Sequence, residues 1–206
     1  MSCSYGNMDN LRLLFATPIL QTHLGVPDKV MRFIESRDYI YHTNGYTTDE
    51  DVLENIQIRI IKKLITKKVE DYFYNILSFS SDLKLELVSS WANLHKKGDW
   101  AQVHAHYNSV ISGVWYLRVS ETSGKLIIHA DQKLFGNLLD FPKDTLNELN
   151  GDRYAFTPKN GDMLIFPSTL KHSVDFSEDD TDRYSLAFNF MVRGNLENGR
   201  LSKVKL

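Results

Sequence analysis

The sequence predicts a mainly β fold with supporting helices, in which two sheets form a jelly roll. Apolar residues recur at three- and four-residue steps before Ser80-Ser81-Asp82 and at alternate positions after it, as expected where helix gives way to strand. Eight candidate strands follow this change, and residues that favour turns separate them. Eight strands are enough to form a two-sheet jelly roll.

Length and charge indicate one domain. The chain has 206 residues, of which 42% are hydrophobic, and a formal net charge of -2. It is long enough for one well-buried core, and it lacks the basic balance of a protein that binds duplex DNA, so we expect no nucleic-acid partner. We predict an N-terminal arm and supporting helices over 1–82, a jelly-roll core over 83–194 and a C-terminal tail over 195–206.

Cysteine content and hydropathy favour the cytoplasm. The single cysteine, Cys3, rules out an internal disulfide framework and indicates a reducing compartment. The opening residues lack a signal-peptide pattern, and no run approaches the roughly 20 apolar residues that cross a bilayer. We therefore expect a soluble protein with no membrane association.

The first elements are an arm and a short helix. Residues 13–24 are apolar and β-prone around Pro18, which predicts an early strand or extended arm restricted to a sheet edge. The arm, counted from Leu11, could pair with a second copy in a homodimer or pack on its own sheet edge. Pro27 then predicts the start of a short helix that runs through Glu35.

A long amphipathic helix is predicted next, with Thr48-Asp49-Glu50 as its N-cap. Its charged side is expected to be solvated and carries Arg59, Lys62, Lys63, Lys67 and Glu70. Its apolar side recurs at three- and four-residue steps, interrupted at Lys68, and contains Leu53, Ile56, Ile60, Leu64, Tyr72 and Ile76.

The remaining sequence reads as strands and turns. The predicted strands are 85–94, 102–107, 110–119, 125–129, 153–157, 162–166, 172–176 and 184–192. Ser123-Gly124 and the segment 159–162 supply turn residues that tolerate positive φ, and Pro167 ends the strand before it. The acidic loop 177–182 is expected to contribute only solubility.

The last strand has two different faces. Its apolar row is expected to be core and contains Tyr184, Leu186, Phe188, Phe190 and Val192. The other row would face the interior of the barrel and contains Arg183, Ser185, Ala187 and Asn189. A guanidinium beside a hydroxyl is a good receptor for a carboxylate. The alternative is that Arg183 pairs with the acidic loop just before it.

Three histidines are candidate metal ligands. His104 and His106 are one residue apart in an extended segment, so their rings should point to one side and could hold one ion. His172 could complete a facial set, leaving the opposite positions open for substrate and oxygen, as in non-heme iron oxygenases. We expect the other histidines to be ordinary hydrogen-bonded or exposed residues, namely His23, His42, His95 and His129.

Several motifs lie between Trp91 and Asn189, namely Trp91-Ala92-Asn93, His104-Ala105-His106-Tyr107-Asn108-Ser109-Val110-Ile111-Ser112-Gly113-Val114-Trp115-Tyr116-Leu117, Asn160-Gly161-Asp162-Met163-Leu164-Ile165-Phe166-Pro167-Ser168, His172 and Arg183-Tyr184-Ser185-Leu186-Ala187-Phe188-Asn189. With these motifs the sequence resembles a family of iron(II)- and 2-oxoglutarate-dependent oxygenases of bacteria and marine phages, as a His-x-His variant. It implies a double-stranded β-helix, the cupin-like jelly roll, backed by helices.

The resemblance also implies cofactors and site residues. Iron(II) would be bound by His104, His106 and His172, and the distal carboxylate of the cosubstrate 2-oxoglutarate by Arg183 and Ser185. Tyr116 and Ser112 share one face of a strand, and either could add a hydrogen bond to the cosubstrate. The implied activity is a dioxygenase that hydroxylates a small molecule, an amino acid or a protein side chain and releases succinate and carbon dioxide.

One departure from the wider superfamily leaves the ligand set open, because most members have His-x-Asp or His-x-Glu where this chain has His-x-His. His106 could bind the metal, could swing away and leave a two-histidine site, or Asp131 could supply a carboxylate. Two rival functions follow, a non-catalytic jelly-roll module with a closed, four-ligand zinc site, and a three-histidine cupin dioxygenase that needs no cosubstrate. Other residues near the motif could line a pocket, namely Trp91, Asn93, Trp100 and Trp115.

Overall fold

The fold is taken from a computed structural model, which describes residues 13–49, 51–131, 141–197 and 203–205. Cys3, Glu50 and the first residues of the predicted arm lie outside the described residues. The strands are β1 (Leu20–His23), β2 (Ile40–Tyr41), β3 (Tyr46–Thr47), β4 (Lys84–His95), β5 (Ala101–His104), β6 (Ile111–Arg118), β7 (Leu126–His129), β8 (Arg153–Phe156), β9 (Asp162–Pro167), β10 (His172–Val174), β11 (Arg183–Arg193), β12 (Asn195–Glu197) and β13 (Lys203–Lys205).

Two antiparallel sheets form the jelly roll. The main sheet has the order β1-β9-β6-β11-β4-β3-β2 and the minor sheet has the order β5-β10-β7-β8, while β12 and β13 form a two-stranded sheet. The eight strands predicted from the sequence are β4 to β11, so the expected fold class is confirmed. The short strands β2 and β3 were not predicted, because two-residue strands carry no periodicity. The division of the chain into segments at 82 and 194 stays a prediction.

Two predicted strands end early. Strand β5 stops at His104 instead of residue 107, and β10 stops at Val174 instead of residue 176. After β5 the chain turns away, since Asn108 has a φ of 57° and the backbone N–H of His106 donates to the carbonyl oxygen of Ser168 at 2.9 Å. His106 therefore lies beyond the strand, and strand alternation is not what places its ring beside His104.

The arm and the first helix agree with the sequence. Strand β1 occupies the edge of the main sheet, where Leu20 is paired with Ile165 of β9. The arm thus packs on the sheet edge of its own chain. Helix α1 (Asp28–Glu35) begins directly after Pro27, as predicted.

The second helix differs from the prediction. Helix α2 (Arg59–Glu70) is preceded by two 3-10 turns (Val52–Glu54 and Ile56–Ile58) and followed by a π-helical segment (Asp71–Ile76). Thr48 is not its N-cap, because the Thr48 hydroxyl oxygen accepts from the backbone N–H of Ala92 at 3.0 Å. The longest helix has 12 residues, and no helix in the described part of the chain has the length and apolar character to cross a membrane.

The predicted apolar side of this segment is only partly correct, because Leu53 and Tyr72 are buried but its other four residues are exposed. Ile56, Ile60, Leu64 and Ile76 are 70%, 63%, 40% and 49% exposed. The buried row is instead Ile58, Ile61, Ile65, Val69, Tyr72 and Phe73. Both rows have helical spacing, so spacing alone does not show which one meets the sheet.

The core lies in two layers on either side of the main sheet. The helices pack against its outer face, where the apolar row of β11 lies with Trp115 in the larger cluster. A smaller cluster fills the space between the two sheets and contains Tyr116, Leu126, Ile128, Leu164, Phe166 and Leu170. Strand β11 thus has one row in the larger core, and Arg183, Ser185 and Ala187 of the other row face the space between the sheets.

Gly113, in the middle of β6, allows this close packing. A Cβ atom at this position would lie 2.4 Å from ring atoms of the buried Phe188 and 2.8 Å from the carbonyl oxygen of Leu164. We expect Gly113→Ala to lower the free energy of unfolding by about 1–3 kcal/mol, since neither neighbour has room to move. Urea unfolding measures this change. Gly25→Ala is the matched control, because nothing lies within 4 Å of a Cβ there; equal stability of the two variants would contradict the packing argument.

Candidate functional site

A cavity of about 80 Å³ lies between the sheets. Its lining includes the three candidate histidine ligands together with Arg183, Ser185 and Tyr116. One wall is made by cross-strand pairs of β4 and β11, in the order Trp91 with Ala187, Asn93 with Ser185 and His95 with Arg183. Tyr116 and Val114 of β6 extend this wall, and His104, His106 and His172 lie on the opposite side with residues of the minor sheet.

The three histidines form one cluster. His104 and His172 are directly paired between β5 and β10, and their ring centroids are 4.3 Å apart. The His106 ring is 5.2 Å from that of His104 and 5.1 Å from that of His172. One ligand atom of each ring lies within 4.8 Å of the others, which is close enough for a single ion. The His106 ring thus lies beside the other two, and whether it binds the metal or leaves a two-histidine site stays a prediction.

Hydrogen bonds orient two of the rings. The Nδ1–H of His104 donates to the carbonyl oxygen of Gln102 at 2.8 Å, and the Nδ1–H of His172 donates to that of Leu170 at 2.9 Å. A carbonyl only accepts, so Nδ1 carries a proton in both rings, and in the neutral form of such a ring the lone pair that can bind a metal is on Nε2. Nε2 of His106 lies 3.3 Å from Nε2 of His172, so these two nitrogens are close enough to bind the same ion.

The cluster is also electrically suited to a cation. Burial, with the neighbouring His104, lowers the pKa of His106 to about 4 and that of His172 to about 3. Both rings are therefore neutral at neutral pH and keep the lone pairs that a metal needs.

Among the described residues, three side chains lie close enough to bind one metal ion, and no fourth joins them. Asp131 does not reach the cluster, because its side chain is 58% exposed and its carboxylate lies 3.5 Å from Nζ of Lys171. Within the described ranges, His104, His106 and His172 are the whole group of potential ligands. An open three-ligand site of this kind leaves coordination positions for other molecules, whereas structural zinc takes four protein ligands.

Arg183 is buried in the cavity wall without a carboxylate. It is 2% exposed, and its Nε atom has no hydrogen-bond partner among the residues described. Burial lowers its pKa from the usual value, although guanidinium remains the charged form at neutral pH. The pairing with the acidic loop is not observed, because Asp180 binds Lys97 and Asp179 accepts from Ser120 and Thr122.

Tyr116 adds a second unpartnered group. Its ring is fully buried, the guanidinium carbon of Arg183 lies 5.3 Å from its centroid, and its hydroxyl has no partner in the described structure. Burial raises the Tyr116 pKa to about 12, so the hydroxyl keeps its proton and can donate. Unpaired buried polar groups are costly, and two side by side in a cavity indicate a ligand that satisfies both.

Two serines predicted for the site have different positions. Ser185 lines the cavity between Asn93 and Tyr116. Ser112 is not part of the cavity lining, because its hydroxyl bonds Asn189 at 2.6 Å and Ser168 at 2.9 Å. Ser112 therefore belongs to a buried polar network that fixes the loop carrying Ser168, the residue whose carbonyl oxygen holds His106.

His95 was expected to be an ordinary histidine, yet it lines the cavity. It is 6% exposed, and its Nδ1 atom has no hydrogen-bond partner in the described part of the chain. Burial and the adjacent Arg183 lower its pKa to about 3. The available signal was strand alternation, because His95 follows Trp91 and Asn93 at every second position of β4, and both of those line the cavity.

Trp115 and Trp100 were predicted as possible pocket residues, but neither is part of the cavity wall. Trp115 points to the helix side, where its Nε1–H donates to the carbonyl oxygen of Leu24 at 2.8 Å. Trp100 packs against Phe176, with ring centroids 5.5 Å apart. Trp91 does line the cavity, 5.5 Å from the His106 ring, and its Nε1–H donates to Oδ1 of Asn93 at 3.0 Å.

Comparison with solved structures identifies this fold. The chain is similar to HygX from Streptomyces hygroscopicus with nickel and 2-oxoglutarate bound, at 13% identity and a TM-score of 0.56, covering 85% of this chain and 83% of that one. It is also similar to the non-heme alpha ketoglutarate dependent epimerase SnoN from nogalamycin biosynthesis, at 12% identity and a TM-score of 0.61. This match covers 85% of this chain and 76% of the epimerase. A prolyl-4-hydroxylase of Pseudomonas putida matches at 15% identity and a TM-score of 0.53, covering 86% of this chain and 94% of the hydroxylase.

Sequence comparison identifies the family. No curated protein matches the chain. Residues 89–189 match the family model described as "Putative 2OG-Fe(II) oxygenase", and this range contains the three clustered histidines and Arg183. Residues 89–189 thus carry the sequence pattern of the 2OG-Fe(II) oxygenase family.

Proposed function

We propose that the cavity is the active site of an iron(II)- and 2-oxoglutarate-dependent dioxygenase in which His104, His106 and His172 bind the iron. The distal carboxylate of 2-oxoglutarate binds to Arg183, Ser185 and Tyr116. The observation that carries this proposal is the pair of unpartnered donors, Arg183 Nε and the Tyr116 hydroxyl, buried in the same cavity as the histidine cluster.

The donor set suits a dicarboxylate with a keto group. A carboxylate accepts from Arg183 and Tyr116 at once, and these charge-assisted bonds are strong where water is excluded. Three imidazoles leave iron(II) with its full charge of +2, which favours an anionic chelating partner. Ser112 is left out of this set because its hydroxyl already bonds Asn189 and Ser168.

The protein's own residues position the reactants and exclude water. Iron(II) with 2-oxoglutarate supplies an oxidative decarboxylation to succinate and carbon dioxide, coupled to hydroxylation of a second substrate by dioxygen. Leu126 and Val174 of the minor sheet and Phe166 of β9 make part of the cavity wall apolar, so the polar groups act in a dry site. No side chain needs to act as a general base, and Trp91 and Asn93 are free to contact the second substrate.

We propose a small molecule or an amino-acid side chain, free or in a protein, as the second substrate. Two proteins of this fold support both possibilities, one a HygX structure with nickel, 2-oxoglutarate and hygromycin B bound and the other the prolyl-4-hydroxylase. Within the cavity, the bond from Trp91 to Asn93 fixes the Asn93 amide with its oxygen toward the indole. The Asn93 nitrogen is then a donor for a substrate oxygen.

Anaerobic titration of the metal-free protein tests this function. Adding ferrous iron and then 2-oxoglutarate is expected to give a visible charge-transfer band, because the keto acid chelates the iron through two oxygens. Exposure to oxygen should then release succinate. A three-histidine dioxygenase without cosubstrate would bind iron and give no band, and a structural module would retain zinc; either result, with no succinate in air, would contradict the proposal.

A further inference from the structure

A third unpartnered polar group, Nδ1 of His95, lies in the same wall as the two donors above. His95 is opposite Arg183 in the register of β4 and β11, and both side chains line the cavity. Residues paired in this way on one face of a sheet have Cβ atoms about 5 Å apart. The Nδ1 atom of His95 is buried and has no hydrogen-bond partner within the described ranges. Burial without a partner is costly, so this nitrogen calls for an explanation.

Gly45 lies against one edge of the His95 ring. A Cβ atom at position 45 would lie 2.8 Å from Cδ2 and 2.9 Å from Nε2 of His95, so these two atoms rest against the Gly45 backbone. In an imidazole ring, Nδ1 is the corner opposite the bond between Cδ2 and Nε2. The unpartnered nitrogen is therefore on the side of the ring that faces away from Gly45.

From this geometry we propose that His95 is a further binding residue for the distal carboxylate of 2-oxoglutarate, donating through Nδ1–H beside Arg183 and Tyr116. This inference rests on the proposed function, because it needs that carboxylate at Arg183. One carboxylate has enough lone pairs to accept from all three donors. Its binding would satisfy all three unpartnered groups in this wall together.

The charges support a neutral donor at this position. Burial, with the positive charge of Arg183, lowers the His95 pKa to about 3, so the ring carries no charge at neutral pH. A neutral imidazole donates a hydrogen bond without repelling the guanidinium. A lysine or a second arginine there would place two buried cations side by side.

The test compares two ligands that differ at one end. 2-Oxopentanoate has the keto acid end of 2-oxoglutarate and a methyl group in place of the distal carboxylate. The dissociation constant of each is measured by anaerobic titration of the iron(II)-loaded protein, followed through the charge-transfer band. His95→Leu removes the donor and is expected to weaken 2-oxoglutarate about tenfold, the effect of one hydrogen bond to a charged group, and to leave 2-oxopentanoate unchanged.

Conservative variants separate a donor from a packing role. His95→Asn puts an amide nitrogen near the position of Nδ1 and should bind 2-oxoglutarate nearly as the wild type does, whereas His95→Gln puts it near Nε2 and should bind weakly. If the leucine variant does not fold, the comparison of His95→Asn with His95→Gln serves as the test. Gly45→Ala should also weaken 2-oxoglutarate, because the new Cβ displaces the ring. His23→Leu is the matched control, since the His23 side chain is 64% exposed on edge strand β1.

The outcomes distinguish this inference from the proposed function. If His95→Leu and His95→Gln bind 2-oxoglutarate like the wild type and Arg183→Ala does not, the role of His95 is overturned and the proposed function stands. Equal weakening of both ligands would show a structural role for His95 and would also overturn it. If Arg183→Ala binds 2-oxoglutarate normally, the proposed function itself fails.

Discussion

Arg183→Ala is expected to raise the dissociation constant of 2-oxoglutarate by about 30-fold to several thousand-fold in the iron-loaded protein. The reason is that removing one member of a buried, hydrogen-bonded charge pair costs about 2–5 kcal/mol, and 1.4 kcal/mol is tenfold in affinity. Arg183 is 2% exposed, so water cannot replace it as a partner for the carboxylate. Anaerobic titration of the charge-transfer band measures the change, and the iron affinity itself should be nearly unaltered.

The controls for this prediction use the same residue type and a related ligand. Arg193→Ala removes an arginine whose side chain is 49% exposed and pairs with Glu86, and it should leave 2-oxoglutarate binding unchanged. Arg183→Lys keeps the charge but loses the planar guanidinium, so we expect partial loss. Wild-type affinity in Arg183→Ala would mean that the distal carboxylate binds elsewhere.

The position of Arg183 could be predicted because strands obey a simple rule. Side chains alternate between the two faces of a sheet, and β11 has an apolar row and a mixed row, so Arg183 and Ser185 had to face away from the apolar core. The same rule placed Tyr116 in β6, next to Ser185 in register. It did not separate Tyr116 from Ser112, because the hydrogen bonds of Ser112 to Asn189 and Ser168 depend on a neighbouring strand and a distant loop.

The histidine cluster was predicted correctly for a reason that was only partly right. Alternation along one strand was expected to align His104 with His106, but β5 ends at His104. His106 reaches the cluster because the loop after β9 binds its backbone through Ser168. A contact between residues more than 60 positions apart leaves no local pattern, so the sequence could supply the ligands but not the way in which they are held.

The error in helix α2 has a different origin. The segment contains two apolar rows with helical spacing, and the row chosen from the sequence is broken at Lys68. The unbroken row, which includes Ile61, Ile65 and Val69, is the buried one. Continuity of the row was therefore a usable signal. The 3-10 turns before the helix and the π-helical segment after it could not be predicted, because they adjust the helix to the sheet beneath it.

Loss of one histidine ligand is the second large effect that we expect. His172→Ala should weaken ferrous iron binding by more than about 100-fold, because changes to outer-shell groups alone cost about 10–100-fold and this change removes a ligand atom. His172 is 6% exposed and oriented by Leu170, so no other described side chain can take its place. The increase in melting temperature that iron gives the wild type should disappear, since stabilisation by a ligand requires that it bind the folded state.

The control for this variant is a histidine on the neighbouring strand. His129 of β7 bonds Ser173 at 2.9 Å and lies outside the cavity, so His129→Ala should keep the affinity for iron and the thermal shift. Ferrous iron and 2-oxoglutarate should together stabilise the wild type more than iron alone, and His172→Ala should lose both increments, because the cosubstrate chelates the metal. A His172→Ala protein that kept the iron-dependent shift would show that the ion binds away from this cluster, and the open three-histidine site would then have no support.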